Sequence, residues 1–124
     1  MQVVATDRAP KAIGPYSQAI TTDQLVFTAG QIGLDPESMQ MAEGIEAQAH
    51  RVFRNLAAVA DASGMGLDDA VRMTVYLTDL AHFARVNEIM AQYVREPYPA
   101  RAAVGVAGLP RGALVEIDAI LHAG

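Results

Sequence analysis

Arg101 is the side chain in this sequence best suited to hold a small anion. It opens a predicted strand directly after Pro97-Tyr98-Pro99-Ala100. A guanidinium presents paired planar donors that match the two oxygens of a carboxylate, so an arginine fixed where a strand begins could anchor a small organic acid. A solvated charge that blocks pairing at the edge of a sheet explains the residue equally well. The residues alone leave both alternatives open.

Glu116 is the second candidate, because it interrupts an otherwise apolar run from Leu114 to Leu121. A carboxylate in such surroundings is paired, lies at an interface or takes part in function. The last two predicted strands share a turn and should form a hairpin, which would make a cross-strand neighbourhood of Glu116 with Arg101 feasible. That pair could equally be a structural salt bridge. Asp118, on the same side of the strand, competes with Glu116 for either role.

Metal and cofactor chemistry has little support in the sequence. There is no cysteine, and the histidines at 50, 82 and 122 lack the spacing of metal ligands, so we expect neither a metal nor a cofactor. Tyr16, in a Gly-Pro turn, and Asn87, in a predicted helix, offer neutral hydrogen-bonding groups. Either residue could instead serve as a cap or in packing.

The composition indicates a folded protein with little affinity for nucleic acid. The chain has 124 residues, 52% of them hydrophobic, with 9 basic and 14 acidic side chains and a net charge of -5. These values predict one domain over residues 1–124. Lys11 is the only lysine, so we expect no nucleic-acid partner. No stretch is apolar enough to cross a bilayer and the first residues lack a secretory pattern, so we expect a cytoplasmic protein with no membrane partner.

The hydrophobic periodicity predicts an α/β chain in the order β-β-α-β-α-β-β. The predicted elements are a hairpin from Ala19 to Gly30, a helix from Ile45 to near Gly64, a strand from Val71 to Thr78 with Val71 on its apolar face, a helix capped by Asp79 that ends at Pro97, and an antiparallel hairpin of Arg101 to Val106 with Ala113 to Leu121. Strand–helix–strand crossovers are right-handed, so both helices should cover the same side of a single sheet.

The other side of this predicted sheet has no cover. The last strand alternates between residues that can pack on the helices, namely Val115, Ile117, Ala119 and Leu121, and residues that point away from them, namely Leu114, Glu116, Asp118 and Ile120. A mixed apolar and charged face on an open sheet favours burial against another copy of the chain. The pattern therefore predicts an oligomer of unspecified order.

The sequence resembles the reactive intermediate deaminase (Rid) family, of the 2-iminobutanoate/2-iminopropanoate deaminase type. The resemblance spans nearly the whole chain in order. It rests on six segments: residues 9–19 (Ala-Pro-Lys-Ala-Ile-Gly-Pro-Tyr-Ser-Gln-Ala), 26–36 (Val-Phe-Thr-Ala-Gly-Gln-Ile-Gly-Leu-Asp-Pro), 75–80 (Val-Tyr-Leu-Thr-Asp-Leu), Phe83 with Val86-Asn87, Pro99-Ala100-Arg101, and 109–117 (Leu-Pro-Arg-Gly-Ala-Leu-Val-Glu-Ile).

This resemblance implies a chorismate-mutase-like fold, with one mixed sheet and two helices on one face, assembled as a homotrimer with clefts between subunits. It implies hydrolytic deamination of small 2-imino acids to 2-oxo acids and ammonia, without metal or cofactor. Arg101 would bind the substrate carboxylate, and Glu116 would position or activate water. The cleft would be lined or supported by Tyr16, Gly30, Gln31, Ile32 and Asn87.

The chain departs from many relatives just after Arg101. Where those relatives carry a hydroxyl residue, a cysteine or other small residue and then an acidic residue, this chain has Ala102, Ala103 and Gly105. This difference in sequence could change which imine the protein prefers as its substrate. An aminoacrylate derivative is one alternative substrate. A non-catalytic module that binds small acids or a protein partner is a second hypothesis, since a fold does not determine a function. RNA binding or cleavage is the third, and the acidic charge balance disfavours it.

Overall fold

The computed structural model describes all 124 residues, which form one six-stranded sheet and two α-helices. The strands are β1 (Gln2–Val4), β2 (Ala19–Thr22), β3 (Leu25–Thr28), β4 (Ala70–Leu77), β5 (Ala100–Gly105) and β6 (Val115–His122), and the helices are α1 (Gly44–Ala62) and α2 (Phe83–Met90). The predicted single sheet with two helices is confirmed. The short strand β1 was not predicted, because three residues carry too little pattern. No helix combines the length and apolar character needed to span a membrane.

The strand order β1-β2-β3-β6-β4-β5 contradicts the predicted hairpin of the last two strands. β5 pairs parallel with β4 at the sheet edge, while β6 lies between β3 and β4 and is antiparallel to both. The physical reason lies in the two sequences: β6 has four buried apolar side chains that fill the sheet centre, whereas β5 reads Ala-Arg-Ala-Ala-Val-Gly and has little apolar surface to bury. Such a strand suits an edge.

Both helices lie over the same face of the sheet, as predicted. α1 ends where Gly64 adopts the left-handed conformation (φ +80°), and its buried stripe includes Phe53 and Leu56. The Asp79 carboxylate accepts a hydrogen bond from the backbone N–H of Ala81 at 2.9 Å and so caps the short 3₁₀ turn that precedes α2. α2 ends at Met90, seven residues before Pro97, because the chain turns at residues 91–93.

The alternation predicted for β6 is confirmed, since Val115, Ile117, Ala119 and Leu121 are all buried in the core. β4 contributes Met73, Val75 and Leu77 to the same core. Val71 was also predicted to face the core, and this was wrong: it is 47% exposed because the register shifts between Ala70 and Arg72. A β-bulge turns the side chains before it to the other face.

The buried amide of Gln18 fastens the N-terminal segment to the start of the sheet. Its Nε2 donates to the carbonyl oxygens of Thr6 (2.9 Å), Ala9 (3.2 Å) and Pro10 (2.8 Å), and its Oε1 accepts from the N–H of Thr6 (2.7 Å). These bonds satisfy backbone groups that would otherwise lack partners away from water. They also fix the backbone immediately before Lys11.

We expect Gln18→Leu to lower the free energy of unfolding by about 2–4 kcal/mol, because several polar groups would lose their partners while Leu keeps most of the volume. Urea unfolding followed by circular dichroism measures the change. The exposed Gln40→Leu is the matched control and should change stability by less than about 0.5 kcal/mol. Equal midpoints for the two variants would show that the amide does not fasten this segment.

Candidate active site

Arg101 reaches from the edge strand β5 toward α2. Its register partner on β4 is the buried Met73, so the side chain projects from the helix-covered face of the sheet. The guanidinium Nη1 donates to Asn87 Oδ1 and lies 3.8 Å from the sulfur of Met90. The guanidinium carbon lies 4.9 Å from the centre of the Phe83 ring. Three residues of one helix therefore orient the head group.

No carboxylate neutralises Arg101. The ion pairs of the chain join Arg8 with Asp61, Arg85 with Glu46 and Glu88, and Arg95 with Asp68. Arg101 instead borders a cavity of about 360 Å³ lined by Asn87, Met90, Ala91, Val94, Tyr98, Pro99 and Arg101, which we call the arginine cavity. An oriented cation without an anionic partner at the wall of a cavity is suited to bind an anion from solution.

Glu116 lies on the opposite face of the sheet. It is directly opposite Tyr76 on β4, which in turn pairs with Val104 of β5. The Glu116 side chain is half-buried, and this burial, together with the nearby charge of Asp118, raises the pKa of its carboxyl above the usual value.

The Glu116 carboxylate packs directly against the backbone of Gly30. A Cβ atom at residue 30 would lie 2.0 Å from the Oε2 atom of Glu116. Gly30 is brought there by the next residue, because Gln31 exchanges two backbone hydrogen bonds with Ile117 of β6, at 2.9 and 3.1 Å. The absence of a side chain at residue 30 thus makes room for the carboxylate.

A second cavity of about 350 Å³ contains Glu116, and we call it the glutamate cavity. Its lining consists of Pro10, Lys11, Ile13, Tyr16, Ala29, Gly30, Gln31, Ile32, Leu34, Pro110 and Glu116. Five residues of the predicted site, Tyr16, Gly30, Gln31, Ile32 and Glu116, lie together here. The Tyr16 hydroxyl accepts a weak hydrogen bond from the N–H of Ile13 at 3.4 Å.

The two predicted key residues do not meet within one chain. Arg101 and Asn87 border the arginine cavity, and Glu116 borders the glutamate cavity, with no lining residue in common. The cross-strand neighbourhood expected for Arg101 and Glu116 was wrong. β4 separates their strands, and their registers place them on opposite faces of the sheet.

Several residues that contact Arg101 or line the glutamate cavity were not predicted as site residues from the sequence. Phe83 and Met90 contact Arg101 from the same side of α2 as Asn87, and their i, i+4, i+7 spacing is a signal that could have shown this. Lys11 enters the glutamate cavity from a loop and Pro110 from a short 3₁₀ turn, and no periodicity marks either residue. The contact of Gly30 with Glu116 is steric, so the residue types alone could not predict it.

Comparisons with known proteins identify the class to which this fold and these cavities belong. The family model described as Endoribonuclease L-PSP matches residues 6–123. Protein DfrA of Myxococcus xanthus is 53% identical over 122 residues, covering 96% of this chain and 93% of its own. The 2-iminobutanoate/2-iminopropanoate deaminase of Mus musculus is 45% identical over 120 residues, covering 96% of this chain and 89% of its own.

A solved structure of high similarity points to the same family as these relatives. The crystal structure of RidA from the Antarctic bacterium Psychrobacter sp. PAMC 21119 superposes with a TM-score of 0.97 at 50% identity, covering 99% of this chain and 100% of the other. The chain therefore belongs to the Rid family, as its sequence motifs predicted.

Proposed function

We propose that this protein hydrolyses small 2-imino acids to 2-oxo acids and ammonia, at clefts formed between subunits of a homotrimer. The observation that carries the proposal is Arg101, whose guanidinium is oriented by Asn87 and Met90 and has no carboxylate partner. Deaminase relatives at 41–45% identity support the reaction class. The half-buried Glu116, whose pKa is raised by burial, supplies a carboxyl that can accept and donate a proton.

The opposite orientations of Arg101 and Glu116 support a site between subunits. One chain presents a carboxylate-binding group on the helix side of β5 and a proton-transfer group on the open side of β6. Arg101 at a sheet edge can complete the glutamate cavity of a neighbour if the chains associate in a ring. The open face favours association, because Phe27 and Val104 expose 42% and 40% of their surface there.

The reaction needs three proton transfers, two of which pass through Glu116. Arg101 holds the substrate carboxylate while a water oxygen bonds to the imine carbon of a protonated 2-imino acid, and Glu116 takes a proton from that water. The protonated Glu116 then gives its proton to the amine nitrogen of the resulting carbinolamine. The carbon–nitrogen bond breaks, the electron pair leaves with ammonia, and the remaining hydroxyl yields its proton to form the 2-oxo acid and ammonium.

These tasks lie within the capacity of two positioned side chains. Positioned general acid–base catalysis typically contributes about 10²- to 10⁴-fold, and orientation of the reactants adds to it. The apolar residues of the glutamate cavity, Ile13, Ile32 and Leu34, suit a short aliphatic side chain on the substrate.

Subunit complementation tests both the reaction and its location. Arg101→Ala and Glu116→Gln should each lose most of their activity, yet mixed trimers should regain activity at roughly one site in three, where an intact Arg101 meets an intact Glu116 of a neighbour. The two variants are co-expressed with different affinity tags and purified through both tags. As the control, each variant is co-expressed with itself, one copy with each tag, and purified in the same way.

Mixed oligomers that form but remain as inactive as the controls would contradict a site shared between subunits. Inactivity of the wild-type protein toward imines would contradict the reaction itself. Binding of 2-oxobutanoate without turnover would then favour a non-catalytic module, and RNA binding that weakens steeply with salt would favour a nucleic-acid role.

A further inference from the structure

A second carboxylate lies next to Glu116 on the open face of the sheet. Asp118 is two residues further along β6 and projects to the same side as Glu116. The hydroxyl of Tyr76 donates to Asp118 Oδ2 at 3.3 Å, although Tyr76 is the register partner of Glu116 rather than of Asp118. Tyr76 therefore spans the diagonal between the two acidic residues and holds the Asp118 carboxylate in place.

We propose that Asp118, anchored by Tyr76, is a positioning residue that acts through Glu116 and makes its proton available to the departing ammonia. The proposal rests on the proposed function, because it concerns the same proton transfers. Asp118 itself borders neither cavity, so it acts on the substrate through Glu116 alone.

The groups that face Glu116 leave Asp118 as its main charged neighbour. On β4 the register partner of Glu116 is Tyr76, and beyond Tyr76 on β5 lies the uncharged Val104. The row of Asp118 continues with Thr74 and Ala102, which are also uncharged. The N-terminal segment adds the exposed Lys11 and Tyr16 at the wall of the cavity. Arg72 lies two register rows further along the same face, opposite Ile120.

The electrostatics agree with this geometry. Burial, and then the charge of Asp118, raise the pKa of the Glu116 carboxyl. Burial and Asp118 also raise the pKa of the Tyr76 phenol, so the hydroxyl stays protonated and remains a donor. A like charge close by disfavours ionisation of the Glu116 carboxyl, and the hydrogen bond from Tyr76 holds the Asp118 carboxylate in place. Glu116 therefore binds its proton more tightly than an ordinary carboxyl does.

A raised pKa suits Glu116, because in the proposed reaction this carboxyl must first accept a proton and then donate it. A carboxyl with an ordinary pKa accepts a proton from water poorly and, at neutral pH, rarely holds one to donate. Raising its pKa toward the working pH improves both steps together. Asp118→Asn removes the like charge with almost no change in shape, so the pKa of Glu116 should fall and its carboxylate should persist to lower pH.

The experiment titrates Glu116 directly. The chain has six glutamates, so protein labelled with ¹³C at the glutamate carboxyl carbon gives few resonances, and Glu116→Gln identifies the one of interest. In Asp118→Asn its midpoint should move to lower pH, whereas in Asp118→Glu and Tyr76→Phe, which keep the second charge, it should stay closer to the wild-type value. Thermal unfolding checks that each variant is folded.

Kinetics supply the second measurement. The acidic limb of the kcat/KM profile for a 2-imino acid should move to lower pH in Asp118→Asn, so that the variant retains a several-fold larger share of its maximal activity below the wild-type midpoint. A merely structural role would lower activity at every pH and leave the limb in place. An unmoved Glu116 midpoint in an active protein overturns this inference alone, whereas a wild-type protein without imine hydrolysis overturns the proposed function and this role with it.

Discussion

Arg101→Ala is expected to reduce kcat/KM for 2-imino acid hydrolysis by roughly 100- to 1,000-fold. A paired set of charge-assisted hydrogen bonds to a carboxylate contributes several kcal/mol, and each 1.4 kcal/mol corresponds to a factor of about ten in rate. Arg101 is exposed and forms no ion pair, so its removal should leave the free energy of unfolding nearly unchanged.

The measurement couples the protein to a threonine dehydratase and follows capture of the free imine by semicarbazide. Arg101→Lys keeps the charge but loses the planar fork, so it should recover only part of the activity. Arg54→Ala, which removes an exposed arginine from α1, is the matched control and should behave like the wild type. Suppression of semicarbazone by Arg101→Ala that equals the wild-type effect would rule out the guanidinium as the anchor.

The local elements of this fold could be predicted from periodicity. The stripe of α1 and the alternation of β6 both follow from burying one face of an element, and each is readable within a window of ten to twenty residues. The order of the strands could not be predicted in the same way. β5 and β6 are neighbours in sequence, yet β6 pairs with β3 and β4, because a strand with apolar residues at every second position stabilises the sheet most at its centre.

In the candidate site, too, the individual residues could be predicted from the sequence but their relative positions could not. Arg101 and Glu116 were singled out by residue type, since a cation at a strand start and a carboxylate in an apolar strand are both unusual. Their separation into two cavities depended on strand order and register, which no local pattern contains. Tyr16 and Ile32 joined Glu116 through long-range contacts, so only the resemblance to the Rid family could place them beside it.

Gly30→Ala is expected to lower kcat/KM by about 100-fold while leaving the protein folded. The new Cβ would lie 2.0 Å from Glu116 Oε2, closer than any real contact, so one of the two must move. The carboxylate is the far end of a flexible side chain and can swing away, so the energetic cost is small. The displaced group can no longer exchange protons with water at the substrate, which removes the contribution of general acid–base catalysis.

Two other glycines provide controls that separate displacement of Glu116 from general damage. In Gly33→Ala the Cβ would lie 2.9 Å from the backbone Cα of Gln48, which cannot swing away, so stability should fall. In Gly108→Ala the Cβ meets nothing within 4 Å, so neither activity nor stability should change much. Steady-state kinetics and urea unfolding on all three variants make the comparison. If Gly30→Ala keeps full activity, proton transfer does not require the Glu116 carboxylate at its observed position, because the substitution cannot leave the carboxylate there.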